Sequence, residues 1–231
     1  DVNYKCNNRS IFDGFKIDCP IVAEQDKGKF LHQYKEPHFH HSSNIDHIKD
    51  WTDLSGYYQT EKYFEHCKEE IFNYFTFKQP IRDNIDNKIK QGVYPDPKLC
   101  TSIHIRRGDF VQKQQFHPFQ DLQYYKSACK ITNTEKYIFF SDDIEWCKKT
   151  FGRDSRLVYS NDMDPFEAMY HMSLCSNHII CNSTFGWWGS WLGEMAFPNK
   201  ERIIIAPNKW FGPAHSMYDP KDIIPERWTK I

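Results

Sequence analysis

Arg106 and Arg107 are consecutive and are followed by Gly108 and Asp109. They close the run Thr101-Ser-Ile-His-Ile-Arg-Arg-Gly-Asp-Phe-Val111, in which Ile103 and Ile105 alternate with Ser102 and His104 as in a strand. A guanidinium grips phosphate with two parallel hydrogen bonds and keeps its charge. Paired at the end of an apolar strand before a turn glycine, the arginines point to an anion site. A structural ion-pair cluster with Asp109 is the reading to beat. Asn182-Ser183-Thr184 supplies the second half of the argument. Ser183 and Thr184 open a predicted helix, whose free N–H groups and dipole favour an anion. Facing the arginines, they would make a two-sided clamp for a diphosphate.

Other polar runs fall at comparable places: Ser141-Asp142-Asp143, Ser160-Asn161-Asp162 and Pro207-Asn208-Lys209. Nearer the amino terminus stands Glu36-Pro37-His38-Phe39-His40-His41, followed later by Tyr57. No carboxylate or cysteine lies at ligand spacing beside the histidines, so a polar, aromatic cleft loop is preferred to a metal site. The one Asp-x-Asp, at Asp162 and Asp164, is read as helix capping.

These runs need elements to position them, and the pattern from Cys100 onward supplies them. Strands are predicted at Cys100–Arg106, Tyr137–Phe140, Leu157–Tyr159, His178–Cys181 and Arg202–Ala206. Helices are predicted near Gln120–Lys130, at Ile144–Phe151, from Asp164, and at Thr184–Met195. Asp164 reads as an N-cap, Pro165 as the first helical residue and Glu167 as the capping-box partner. Alternating strands and helices imply a parallel sheet. In such sheets ligands bind at the carboxyl ends of the strands, where each polar run lies. The last helix packs three tryptophans and two glycines into Phe185–Leu192; the tryptophans are read as core.

Before residue 98 the pattern is irregular. Phe12, Phe15 and Ile17 read as a strand, and Leu54–Gln59 as another. One helix capped by Thr60 and ending before Pro80 is expected from Phe64, Cys67, Ile71, Tyr74 and Phe75. Residues 82–98, with Pro95 and Pro97, read as a polar connection. The expected division is therefore 1–97 and 98–231.

The net charge of -1 gives no field favouring nucleic acid or anionic membrane. No apolar run is long enough to span a bilayer. The eight cysteines form no Cys-x-x-Cys pair and read as reduced, mostly buried thiols. Of two glycosylation sequons, Asn8-Arg9-Ser10 and Asn182-Ser183-Thr184, the second falls in the candidate site. A nicotinamide-type oxidoreductase would need Gly-x-Gly-x-x-Gly after the first strand, and none is present.

His104–Val111 resembles the first signature of the α-1,2-fucosyltransferase family, Phe140–Trp146 its second and Asn182–Trp188 its third. The resemblance implies a GT-B-like α/β fold of two Rossmann-type domains, the amino-terminal one incomplete because the family's glycine-rich turn is missing. It implies inverting transfer of L-fucose from GDP-fucose to the 2-hydroxyl of a galactoside or related glycan, with no metal or other cofactor. Donor contacts are expected from His104, Arg106, Arg107, Ser141, Asp142, Glu167, Asn182, Ser183, Thr184 and Phe185. Glu36, His38 and Tyr57 are expected on the acceptor side. Arg106 and Arg107 would stabilise the leaving diphosphate; Asp109, Glu36 and His38 are the candidate bases. Where the family places an aspartate that could read guanine, this chain has Ala168. The expected location is cytoplasmic or peripheral to a membrane, or the Golgi lumen if an anchor precedes this chain.

Overall fold

The computed structural model describes residues 10–160 and 164–231. Its elements run α1 (Ile11–Gly14), β1 (His32–Lys35), β2 (Thr52–Ser55), α2 (Lys68–Tyr74), α3 (Gln79–Lys90), β3 (Cys100–Ile105), α4 (Leu122–Thr132), β4 (Lys136–Ser141), α5 (Ile144–Phe151), β5 (Leu157–Tyr159), α6 (Pro165–Leu174), β6 (Asn177–Ile179), α7 (Thr184–Ala196), β7 (Ile204–Ala206) and β8 (Thr229–Lys230). The expected alternation from Cys100 onward is present, with ends shifted by a few residues.

The main sheet has six parallel strands in the order β5-β4-β3-β6-β7-β8. Counted from β3, that is 3-2-1-4-5-6, the order of Rossmann folds, whose ligand crevice opens where the winding reverses. Here the reversal lies between β3 and β6. All six residues of β3 are buried, as befits a central strand covered on both faces. The amino-terminal half contributes a separate two-stranded parallel sheet, β1-β2.

Three local expectations before residue 98 are corrected. Phe12 lies in the short helix α1, and only Phe15 forms an isolated bridge, to Phe77. Ser10 caps α1 through the Phe12 N–H, and Asp13 returns the bond to the Ser10 N–H, so a local capping box overrides the loose alternation. The long helix after Thr60 is broken into 3-10 turns at Glu61–Tyr63 and Glu65–Cys67 and then α2. Residues 82–90, read as connection, belong to α3. Pro80 sits in its first turn, where a missing N–H costs nothing, and starts the helix rather than ending one.

The side chains of α3 change the meaning of the expected boundary. Ile81 and Ile85 are buried in the same core as Phe166 and Tyr170 of α6 and Trp187, Trp191 and Leu192 of α7. Tyr170 also donates a hydrogen bond to Asp86 of α3, at 3.0 Å. A continuous core therefore crosses residue 97. Trp187 and Trp191 are core residues, and Trp188 stacks between Phe64 and Phe75.

Candidate active site

At the carboxyl end of β3, Arg106 and Arg107 diverge. Arg106 donates from Nε and Nη2 to Asp109 Oδ1, at 3.1 and 2.9 Å, and its Nη1 lies 3.1 Å from Asp142 Oδ2. The ion-pair reading thus holds for Arg106. Arg107 is less exposed and better fixed. Its backbone N–H donates to Asp142 Oδ1 at 2.8 Å and its Nε to Asp143 Oδ2 at 3.0 Å. Its guanidinium lies 4.1 Å from the ring centre of Trp146 and 5.0 Å from that of Phe119. The stacked plane leaves both terminal nitrogens with no hydrogen-bond partner among the described residues.

The second run, expected to touch the donor, holds the arginines. Asp142 binds both of them, and Gly108 permits this closeness: a Cβ there would lie 2.4 Å from Asp142 Oδ2. Asp143 uses one oxygen to cap α5 at the Trp146 N–H and the other to orient Arg107. Ser141 Oγ accepts from the Asp143 N–H at 3.0 Å. Partial burial works to raise the Asp109 pKa, but the Arg106 bonds and charge outweigh it and hold the carboxyl below its ordinary value. A carboxylate so paired is a weak base, so Asp109 serves as the Arg106 anchor.

Across the crevice, the Arg106 N–H donates to Cys181 Sγ at 3.3 Å, joining the two strand ends. Ser183 is the N-cap of the 13-residue α7, yet its side chain makes no capping bond, and Thr184 is exposed. The helix start is left without a side-chain cap, and its first turn packs on His104 of β3. Asn182 is buried and structural: its amide accepts from Gln120 and donates to the Trp210 carbonyl, at 3.1 and 2.9 Å. His104 is buried too. Burial first, then the Arg106 charge, pushes its pKa down to about 3, so it is a neutral spacer beneath α7, with Phe185 tilted over it at 5.1 Å.

Glu167 does not serve as the expected capping partner. Its carboxylate faces α3, taking a bond from Asn84 and pairing with Lys88; Asp164 caps the helix at the Phe166 N–H. Asn161 and Asp162, of the third polar run, lie outside the described residues.

The acceptor-side candidates gather around the end of β1. Glu36 Oε2 accepts from the N–H groups of Tyr57 and Tyr58. His38 stacks on His40, with ring centres 3.4 Å apart, and Tyr57 stacks on Phe39. Among the described residues no hydrogen bond or ion pair joins this group to Arg107. Phe39, Phe211, His215, His117 and Phe110 form a chain of ring contacts from it to the turn that carries Asp109, at 4.8, 5.7, 6.0 and 4.6 Å. Phe211 and His215 were not singled out in the sequence, where nothing marks residues 211–218 but aromatic density.

The strand order is that of a Rossmann-type sheet, and the two arginines and the uncapped start of α7 follow the two strands that flank its switch point. Residues 5–231 match the sequence model of glycosyl transferase family 11, and the chain belongs to that family. It is 34% identical over 199 residues to an α-1,2-colitosyltransferase of Escherichia coli, covering 80% of this chain and 64% of the relative. Similarity to the O-antigen biosynthesis glycosyltransferase WbnK of the same organism is 30% over 175 residues, 71% of this chain and 57% of the relative. Galactoside α-(1,2)-fucosyltransferase 1 of Bos taurus is 22% identical over 194 residues, 77% and 54% respectively. The chain thus spans between 54% and 64% of these relatives' lengths. Among solved structures, POFUT1 in complex with GDP aligns with a TM-score of 0.42 at 12% identity, over 57% of this chain and 47% of that one. NodZ α-1,6-fucosyltransferase soaked with GDP-fucose aligns with a TM-score of 0.41 at 15% identity, over 55% and 47%. No helix among the described residues is long and apolar enough to cross a membrane.

Proposed function

We propose that this chain carries the donor site of an inverting, metal-independent transferase that moves L-fucose from GDP-fucose to the 2-hydroxyl of a galactoside. The observation that carries the reading is Arg107: packed on Trp146, anchored at Nε, and with both terminal nitrogens unpartnered among the described residues. Negative charge grows on the diphosphate as the sugar leaves, so fixed cations there lower the barrier. Arg106 adds a second positive charge and Asp109 and Asp142 set its direction. Because Asp142 and Asp143 are committed to the arginines, they are poorly placed to hold a metal instead.

One observation favours a second reading, a donor other than GDP-fucose. Glu167 is bound to Asn84 and Lys88, and Ala168 offers no carboxylate for guanine. Colitose is the alternative cargo, since one relative is named for it; a different nucleotide is the other. Donor cleavage by the purified chain, with GDP-fucose, GDP-linked colitose and UDP-sugars compared in excess chelator, tests both. GDP-fucose turnover that persists in chelator is expected. Turnover lost to chelator and restored by manganese or magnesium would remove the metal-independent mechanism.

A further inference from the structure

Phe119 and Gln120, consecutive in the loop that joins β3 to α4, tie three strand ends together. The Phe119 ring centre lies 5.0 Å from the Arg107 guanidinium. Gln120 Nε2 donates to Asn182 Oδ1 at 3.1 Å and to the Lys209 carbonyl at 3.3 Å. A backbone carbonyl only accepts, so Gln120 must present its NH2 there. Asn182 then presents its oxygen to Gln120 and its own NH2 to the Trp210 carbonyl, at 2.9 Å. A second path runs beneath the first. The Arg106 N–H meets Cys181 Sγ at 3.3 Å, and Asn182 is the next residue. Both paths begin at the arginines and end on Lys209.

The backbone around Lys209 is therefore fixed. Trp210 is buried, the Asn208 N–H donates to the Ile231 carbonyl at 2.9 Å, and the Gly212 N–H to the Phe116 carbonyl at 2.8 Å. The Lys209 side chain is the opposite: exposed, and without an ion pair among the described residues. No contact of the fold employs this ammonium.

Charge balance indicates what it serves. Among the described residues, Arg106, Arg107 and Lys113 are paired with Asp109, Asp142 and Asp143, so the charges of that cluster cancel. A diphosphate on the Arg107 terminal nitrogens would bring negative charge that the cluster leaves uncompensated. An ammonium is a compact cation on a flexible stem, suited to phosphate. Strands β3, β6 and β7 are neighbours in that order. Two strand spacings, about 10 Å, separate β3 from β7, a gap that a diphosphate and a lysine side chain together can bridge.

We propose, resting on the nucleotide-sugar reading, that Lys209 is a further phosphate-binding residue of the donor site. Its ammonium meets the diphosphate from the β7 side while Arg107 meets it from β3. Gln120 is the positioning residue, holding the Lys209 carbonyl against Asn182.

Calorimetry with GDP and UDP, beside melting curves without nucleotide, tests this. Lys209→Met should weaken the diphosphate that the native chain binds by about tenfold. Its melting temperature should not move, since the side chain is exposed and unpaired. Lys209→Arg keeps the charge and should stay within about threefold of native. Gln120→Met removes the amide; in that background Lys209→Met should cost no more than about threefold, because the two residues act together. Native affinity in Lys209→Met, a loss in Lys209→Arg as large as in Lys209→Met, or a lowered melt in Lys209→Met would each overturn the phosphate role. A tenfold loss from Lys209→Met in both backgrounds would overturn the positioning role of Gln120. A native chain that binds neither GDP nor UDP would bring down the nucleotide-sugar reading and the proposal with it. Preference for UDP, with the tenfold loss intact, would remove guanine as the base and leave Lys209 standing.

Discussion

Gly186, in the first turn of α7, lies against the ring of His104 on β3, so closely that a Cβ would come within 2.7 Å of Nδ1. The ring cannot swing aside, because it is buried and its Nδ1 meets Cys181 Sγ at 3.4 Å. Gly186→Ala should therefore push the start of α7 off the sheet. Overpacking costs ~1–3 kcal/mol, and the better helix propensity of alanine returns only ~1 kcal/mol. A melting temperature lowered by about 2–4 °C per kcal/mol, together with weaker GDP binding, is expected. An unchanged melt and titration would mean that α7 is not seated by this contact.

Arg107→Ala should leave the fold intact and lower turnover by about 10²–10³-fold, the usual loss for one donor to a developing oxyanion. Arg107→Lys should recover little, since an ammonium cannot lie flat between Trp146 and Phe119 while bonding Asp143. Steady-state kinetics beside a melting curve separate the effects. A lysine variant with near-native turnover would reduce the role of Arg107 to charge alone.

Ala168 packs partly against the buried cluster of Ile138, Phe140 and Met172 in company with Phe185, which places it near the strand ends. Ala168→Asp should tighten GDP binding, because a carboxylate accepts the adjacent N1–H and N2–H of guanine together. The expected gain is ~1.5–3 kcal/mol, roughly tenfold or more in Kd. Calorimetry with GDP, UDP and ADP on both proteins decides it. Equal GDP affinity would show guanine read elsewhere, and preference for UDP would overturn the fucose assignment.

Acid should destabilise the chain before its carboxylates titrate. Burial, then nearby cations, pushes His104 down to about 3, His171 to about 4, and His178 well below its ordinary value. The unfolded chain binds these protons near pH 6.5 and the folded chain does not, so stability falls as pH drops below about 6.5 and continues to fall toward about 4. Each buried histidine contributes up to ~1.4 kcal/mol per pH unit in that window. Denaturant melts between pH 7 and 5 should show the slope; a flat profile would mean the rings protonate in place.

The placement of the arginines and of the helix start was legible because each is contiguous in the chain: Arg106-Arg107 ends one strand, and Ser183-Thr184 opens the helix after its neighbour. The partners of those arginines were not legible as such. Asp142 and Asp143 looked like ligand contacts, and only the parallel pairing of β3 with β4 shows that they serve the arginines. Glu36 was visible as a candidate, but the loop that grips it lies some twenty residues away, and no local pattern announces a tyrosine, Tyr58, at positive φ. Helix α3 was missed because Pro80 reads equally well as a stop or a start. The spacing of Ile81, Ile85 and Ile89 was the signal that could have decided it.

That helix bears on how such enzymes can be recombined. Ile81 and Ile85 of α3 sit in one core with Phe166 and Tyr170 of α6, the helix that carries Ala168. A chimera joined at residue 97 would look clean on the sequence and would splice through that core. Crossovers that respect it must move α3 together with α6, so the unit available to an engineer begins near Gln79. Traffic between the two halves also runs the other way. Substitutions on α3, remote in sequence from every signature motif, therefore act on the packing of α6.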